Sequence, residues 1–195
     1  MKKLFTSFIQ IKLIILFLLF STVDLYSQTY TKSVIESSGP YSAIAKDKSG
    51  NIYTIKATSE TKASVYKFSN GSTKGTEIYS GLTRDVITYP WGLAVSSTGV
   101  VYVSTSFDQD LSKIIKLTSA GSTYTANDFQ ITNNYYTGLT FDKNDNLYAL
   151  QYDSSTKKYK IVKYDNLKTI NSAGTDMYKN IESGEGLSYP TNLAI

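Results

Sequence analysis

One eleven-residue unit recurs along this chain and limits its fold more than any other feature. It reads Ala43-Ile44-Ala45-Lys46-Asp47-Lys48-Ser49-Gly50-Asn51-Ile52-Tyr53 in the first copy. The second is Gly92-Leu93-Ala94-Val95-Ser96-Ser97-Thr98-Gly99-Val100-Val101-Tyr102, and the third is Gly138-Leu139-Thr140-Phe141-Asp142-Lys143-Asn144-Asp145-Asn146-Leu147-Tyr148. The three align without a gap, and a fourth begins at Tyr189-Pro190-Thr191-Asn192-Leu193-Ala194-Ile195. A second element follows each complete copy: Val65-Tyr66-Lys67-Phe68, Ile114-Ile115-Lys116-Leu117 and Ile161-Val162-Lys163-Tyr164. The step from Tyr53 to Lys67 equals that from Tyr102 to Lys116, and the step from Tyr148 to Lys163 is one residue longer. A period of ~40–50 residues holding several short strands is the signature of propeller blades.

The physics of one unit predicts four strands. Small residues at Ala43, Gly92 and Gly138 open a short apolar strand, as the crowded axis of a propeller requires. A polar hairpin turn follows at Asp47 to Asn51, Ser96 to Gly99 and Asp142 to Asn146, where Gly, Asn and Asp tolerate the positive backbone angles of tight turns. The second strand is Ile52-Tyr53-Thr54-Ile55, Val100-Val101-Tyr102-Val103 or Leu147-Tyr148-Ala149-Leu150, and the third carries the repeated lysine. A turn with Gly71, Gly121 or Asn166 leads to the fourth, as in Thr76-Glu77-Ile78-Tyr79. Composition agrees. The chain has 17 Tyr against 8 Phe and 1 Trp, and Tyr and Thr suit a pleated, half-buried surface.

The pattern Pro90-Trp91-Gly92-Leu93-Ala94-Val95, followed by Gly99-Val100-Val101-Tyr102-Val103, resembles the repeat of NHL-type propellers, which also runs through the streptogramin lyase-like and gluconolactonase-like propellers. The first copy has Pro40 but one extra residue, and the third has Tyr136 where Pro is expected. The resemblance covers the chain from about Gly39 onward and implies an all-β propeller of four-stranded antiparallel blades. About three blades are present, at 39–85, 86–132 and 133–186, with the start of another at 187–195. Residues 28–38, with Thr29 to Glu36, read as the outer strand closing a later blade, so an incomplete propeller is expected.

Residues 1–27 read as a secretory signal peptide: a basic Met1-Lys2-Lys3 start, an unbroken apolar run from Leu13 to Phe20, and a more polar stretch ending near Ser27. The run is shorter than the ~20 apolar residues a bilayer needs. The expected location is therefore secreted or cell-surface, periplasmic or extracellular, without membrane insertion once the leader is cleaved. The net charge is +4, of which the leader holds +2, and no dense Lys/Arg run follows, so nucleic acid is not an expected partner. The chain has no Cys and no His, which removes disulfides, thiolate chemistry and the usual general base.

Candidate ligand residues come from the step before each inner strand. Pro40-Tyr41, Pro90-Trp91 and Tyr135-Tyr136 occupy matching places, so blade symmetry puts Tyr41, Trp91, Tyr135 and Tyr136 around one mouth. An aromatic rim suits protein, peptide or carbohydrate ligands. The loop acids Asp108, Asp110 and Asp153 fall on the same face. No cofactor is expected beyond a divalent cation such as calcium, which acidic loops hold in lactonase-like propellers. Asp142 to Asn146 imitates the start of a calcium loop, but Leu147 stands where that loop needs Gly, and a plain turn is the expectation. No Ser-His-Asp, Cys-His, P-loop or HExxH arrangement exists. The expected function is a non-enzymatic binding or scaffolding module; the alternative is a metal-dependent lactonase or lyase of the same broad fold. The repeated lysines Lys67, Lys116 and Lys163 read as blade architecture.

Overall fold

The computed structural model describes residues 40–83, 92–105, 112–121, 123–153, 155–165, 167–181 and 193. The chain divides into Met1–Ser33 and Val34–Ile195; the first unit, with the signal-peptide reading, lies outside the described residues, as does the 28–38 strand. The second unit is all-β, with no helix among the described residues. Blade one holds β1 (Tyr41–Lys46), β2 (Ile52–Ala57), β3 (Lys62–Phe68) and β4 (Thr76–Thr83). Blade two holds β5 (Gly92–Val95), β6 (Val101–Thr105), β7 (Ser112–Ala120) and β8 (Thr123–Thr132). Blade three holds β9 (Tyr135–Phe141), β10 (Leu147–Asp153), β11 (Lys158–Tyr164) and β12 (Thr175–Ile181). Each is a four-stranded antiparallel meander, and the inner strand β5 lies against both β1 and β9. These are three blades of a β-propeller, fewer than the roughly four to eight of closed ones.

The inner hairpins follow from their turn residues. Gly50 N–H donates to Asp47 C=O at 3.1 Å, Gly99 to Ser96 at 3.0 Å and Asp145 to Asp142 at 3.1 Å. The fourth turn residue is left-handed in all three, with φ +85° at Gly50, +80° at Gly99 and +60° at Asp145. This is a type I turn closed by a left-handed residue, a common three-residue hairpin connection. The Asp47 carboxylate accepts from Asn51 N at 2.9 Å, Asn51 Nδ2 at 2.7 Å and the Tyr53 hydroxyl at 3.1 Å. Asp142 accepts equivalently from Asn146 N at 2.9 Å, Asn146 Nδ2 at 2.8 Å and the Tyr148 hydroxyl at 3.4 Å. Ser96 Oγ keeps the equivalent backbone bond, from Val100 N at 3.1 Å, and its other contact is the Thr98 hydroxyl at 3.0 Å.

The equal Tyr-to-Lys steps are cross-strand register. Tyr53 faces Lys67, Tyr102 faces Lys116 and Tyr148 faces Lys163 across the second and third strands. Lys67 Nζ lies 5.6 Å from the Tyr53 ring centroid and Lys116 Nζ 5.9 Å from that of Tyr102, a cation–π contact in each blade. Lys163 instead pairs with Asp165 at 2.6 Å.

Strand alternation sends successive residues to opposite neighbours. In β6, Val101 and Val103 join Tyr53, Ile55 and Val65 of blade one in one core. Tyr102 turns the other way, to Leu139, Leu147 and Ala149 of blade three. That explains why β6 is buried at every residue. The Tyr102 ring meets Phe129 at 5.5 Å and Phe141 at 5.4 Å edge-on, the preferred aromatic geometry. Gly92 shows why the inner strand begins small. A Cβ there would fall 2.7 Å from Ser104 Oγ and 3.0 Å from Leu139 N.

The connection from β11 to β12 crosses onto blade two. Asn171 takes a left-handed conformation in it, at φ +52°; the turn residue expected from the sequence, Asn166, lies outside the described residues. Asn171 N donates to Phe129 C=O at 2.8 Å, Ile131 N donates to Asn171 Oδ1 at 2.9 Å, and Lys116 Nζ donates to Leu167 C=O at 2.9 Å. The two Asn171 bonds cover the outer edge of β8 at Phe129 and Ile131, which would otherwise be open to strand pairing.

Candidate functional site

The start of the inner strand and the end of the second strand form one rim of each blade. In blade one a bulge between Tyr41 and Ala43 turns Tyr41 to face Lys56. Lys56 Nζ then sits 5.7 Å from the Tyr41 centroid and 5.4 Å from that of Tyr66. Tyr66 also donates its hydroxyl to Glu77 at 3.2 Å. Both rings are half-buried, so each keeps part of its surface in water.

Blade three builds its rim from tyrosines. Tyr135 faces Tyr152 and Tyr152 faces Tyr159 across the ladder. Their centroids lie 6.2 Å and 4.8 Å apart, with interplanar angles of 32° and 46°. Tyr135 and Tyr152 are half-buried and Tyr159 is buried.

Tyr136 departs from expectation. It is 1% exposed, inside the core between blades two and three, with its hydroxyl 3.1 Å from that of Tyr164. It faces Gln151 as Tyr41 faces Lys56, so the backbone equivalence is kept. The difference is the neighbour: blade two covers this face of blade three, and Tyr136 is a packing residue, not a rim residue. Burial pushes its phenol up, partly offset by hydrogen bonds with Tyr164 and Gln151.

Asp153 serves its own turn. Its Oδ1 accepts from Ser155 Oγ at 2.6 Å, Ser155 N at 2.9 Å and Thr156 N at 3.3 Å, and the bonds from Ser155 lead in holding the carboxyl below its ordinary value. Trp91, Asp108 and Asp110 lie outside the described residues. Among the described residues no group of three acidic side chains is placed to hold a metal ion. The calcium-like segment is a turn, and burial raises the Asp142 carboxyl less than its bonds from Asn146, Asn144 and Tyr148 lower it.

Beside the blade-one rim, a cleft of about 810 Å³ opens along the inner strands. Ile44, Leu93, Phe141 and Leu193 give it apolar walls, Thr140 gives a hydroxyl and Lys46 an ammonium, and Tyr41 stands at its edge. Ile44 is 70% exposed there, whereas its repeat equivalents Leu93 and Leu139 are each 6% exposed. The arrangement offers flat aromatic faces, hydroxyls and positive charge.

Sequence reasoning missed Lys56, Tyr66, Tyr152 and Tyr159. Counting outward from the Asp142 turn puts Tyr152 near Tyr135, but the bulges that set the final pairing leave no mark in the sequence.

No protein-family model matches the chain, and no curated protein matches it. Among solved structures it is similar to a calcium-binding protein, regucalcin, from Agrobacterium tumefaciens strain C58, with a TM-score of 0.49 and 15% identity. The match covers 74% of this chain and 46% of that one, so the chain spans less than half the length of that protein.

Proposed function

We propose that this chain is an exported NHL-type propeller module that binds a peptide, protein or carbohydrate at the blade-one rim and the cleft beside it. The observation that carries this reading is Lys56 held between the Tyr41 and Tyr66 rings, with Tyr41 at the edge of the cleft. Half-buried tyrosine rings offer large, flat contact area at low ordering cost, which is what sugar and peptide ligands use. A fixed ammonium adds a donor and selects for carboxylates or electron-rich oxygens. The NHL assignment rests on the Pro90 to Val95 and Gly99 to Val103 motifs, and export rests on residues 1–27.

The test is a glycan and peptide array probed with the intact chain, followed by titration of the best binder. Tyr41→Ala is expected to weaken binding by ~1–3 kcal/mol, as for an anchor residue, with little change in the unfolding midpoint. Lys56→Met should weaken acidic ligands more than neutral ones. Lactone hydrolysis that depends on added calcium or zinc, and survives Tyr41→Ala, would overturn the proposal in favour of a metal-dependent enzyme.

A further inference from the structure

Asn70-Gly71 is the single Asn-Gly step in the chain, and it lies at the end of blade one opposite Tyr41, in the turn between β3 and β4. Both residues are exposed. Gly71 has φ +78°, and a Cβ added to it would meet nothing within 4 Å. Its backbone nitrogen therefore carries no side-chain bulk, and the space beside the residue is open. Ser72 N–H donates to Ser69 C=O at 2.8 Å, closing a four-residue turn around the pair.

Asn70 is also a strut. Its Nδ2 donates to Ser49 C=O at 3.2 Å, and its own N–H donates to Asn51 Oδ1 at 3.1 Å. Asn51 in turn donates to Asp47 at the head of the inner hairpin. The amide lies so close over Gly50 that a Cβ there would be 2.8 Å from Asn70 Nδ2. One side chain thus ties the β3–β4 turn to the β1–β2 turn.

We propose that Asn70 is a site of spontaneous deamidation, and that the reaction unties these two turns. The Gly71 nitrogen attacks Asn70 Cγ and gives up its proton, the Cγ–Nδ2 bond breaks, and ammonia leaves. Water then opens the five-membered imide at either carbonyl, giving aspartate or isoaspartate. The net change is amide plus water to acid plus ammonia, with no oxidant or reductant. Neither product can donate to Ser49 C=O, and the new carboxylate faces a carbonyl oxygen. Isoaspartate also lengthens the backbone inside a closed turn. Asn51 and Asn146 are bound within their turns and precede the β-branched or bulky residues Ile52 and Leu147, and Asn171 precedes Ser172, whose side chain crowds the attacking nitrogen as Gly71 does not.

The purified chain is held in warm, mildly alkaline buffer under folding conditions, then peptide-mapped by mass spectrometry with enzymatic isoaspartate labelling. Asn70 is expected to gain the amide-to-acid mass before any other asparagine, several-fold faster, with isoaspartate the main product. Asn70→Gln should remove the label at this site. Asn70→Asp, measured fresh before its own Asp-Gly step forms the imide, should lower the thermal midpoint, isolating the lost strut from the longer backbone. Conversion of another asparagine first, conversion only in denaturant, or an unchanged midpoint in Asn70→Asp would each overturn the proposal.

Discussion

The carboxylate of Asp145 accepts from Ser97 N at 2.7 Å and from the Ser97 hydroxyl, joining the inner hairpin turns of two adjacent blades. Asp145 takes the left-handed turn position that Gly50 and Gly99 hold in the other copies. A glycine there would ease the backbone but reach nothing. The third copy therefore accepts a strained residue and gains a link between blades.

Asp145→Asn should test that link, since Asn tolerates the left-handed region while losing the charge. We expect a loss of about 1 kcal/mol in urea unfolding. A double-mutant cycle with Ser97→Ala should show coupling of at least about 0.5 kcal/mol. Additive losses would mean the two turns are independent.

Gly92→Ala should be costly for a different reason. The added methyl would meet Leu139 N, a backbone atom that cannot rotate away. Overpacking of this kind costs ~1–3 kcal/mol. Gly71→Ala is the control, because its penalty comes only from φ and from no contact. Chemical denaturation of both variants should give the larger loss at Gly92.

Tyr41 and Tyr136 should part company on substitution, although the repeat makes them equivalent. Tyr136→Ala empties a buried site and should cost ~3–5 kcal/mol in stability. Tyr136→Phe removes the hydroxyl contact to Tyr164 and should cost ~0.5–1.5 kcal/mol. Tyr41→Phe and Tyr41→Ala should leave the melting profile nearly unchanged and show their effect in ligand titration. Calorimetry of the four variants separates the roles.

The turns were legible in the chain, since Asp47, Gly50 and Asn51 predict the hairpin. The equal Tyr-to-Lys steps mark the repeat, and the structure shows their physical cause, the cross-strand pairing of Tyr53 with Lys67. The sorting of Tyr41 from Tyr136 was not. A repeat fixes the backbone position of a side chain, but its burial depends on whether another blade stands in front of it. The change of Gly50 and Gly99 to Asp145 was visible, yet its partner Ser97 lies in the preceding copy, and blade twist brings the two turns together.

The buried tyrosines set an alkaline limit on stability. Burial pushes the Tyr102 phenol from 10.0 up to about 12, with the Asp145 carboxylate adding to the rise. Tyr53 and Tyr164 rise as well, first through burial, then through Tyr124 and Tyr136 respectively. A raised pKa in the folded state means the phenol stays neutral there after its unfolded counterpart has ionised. Its contribution is therefore complete below pH 10, where unfolded tyrosine is still protonated, and is lost as pH rises through the folded value. Each such phenol should remove about 1.4 kcal/mol per pH unit in that window. The expected result is a steep fall in the urea midpoint between pH 10 and about 12, with late phenolate absorbance appearing together with unfolding. Tyr102→Phe should make the fall shallower, because one ionisation is removed while the ring contacts with Phe129 and Phe141 remain. If all tyrosines ionise together near pH 10 without unfolding, these rings are open to water and the inter-blade cores are looser than the packing requires.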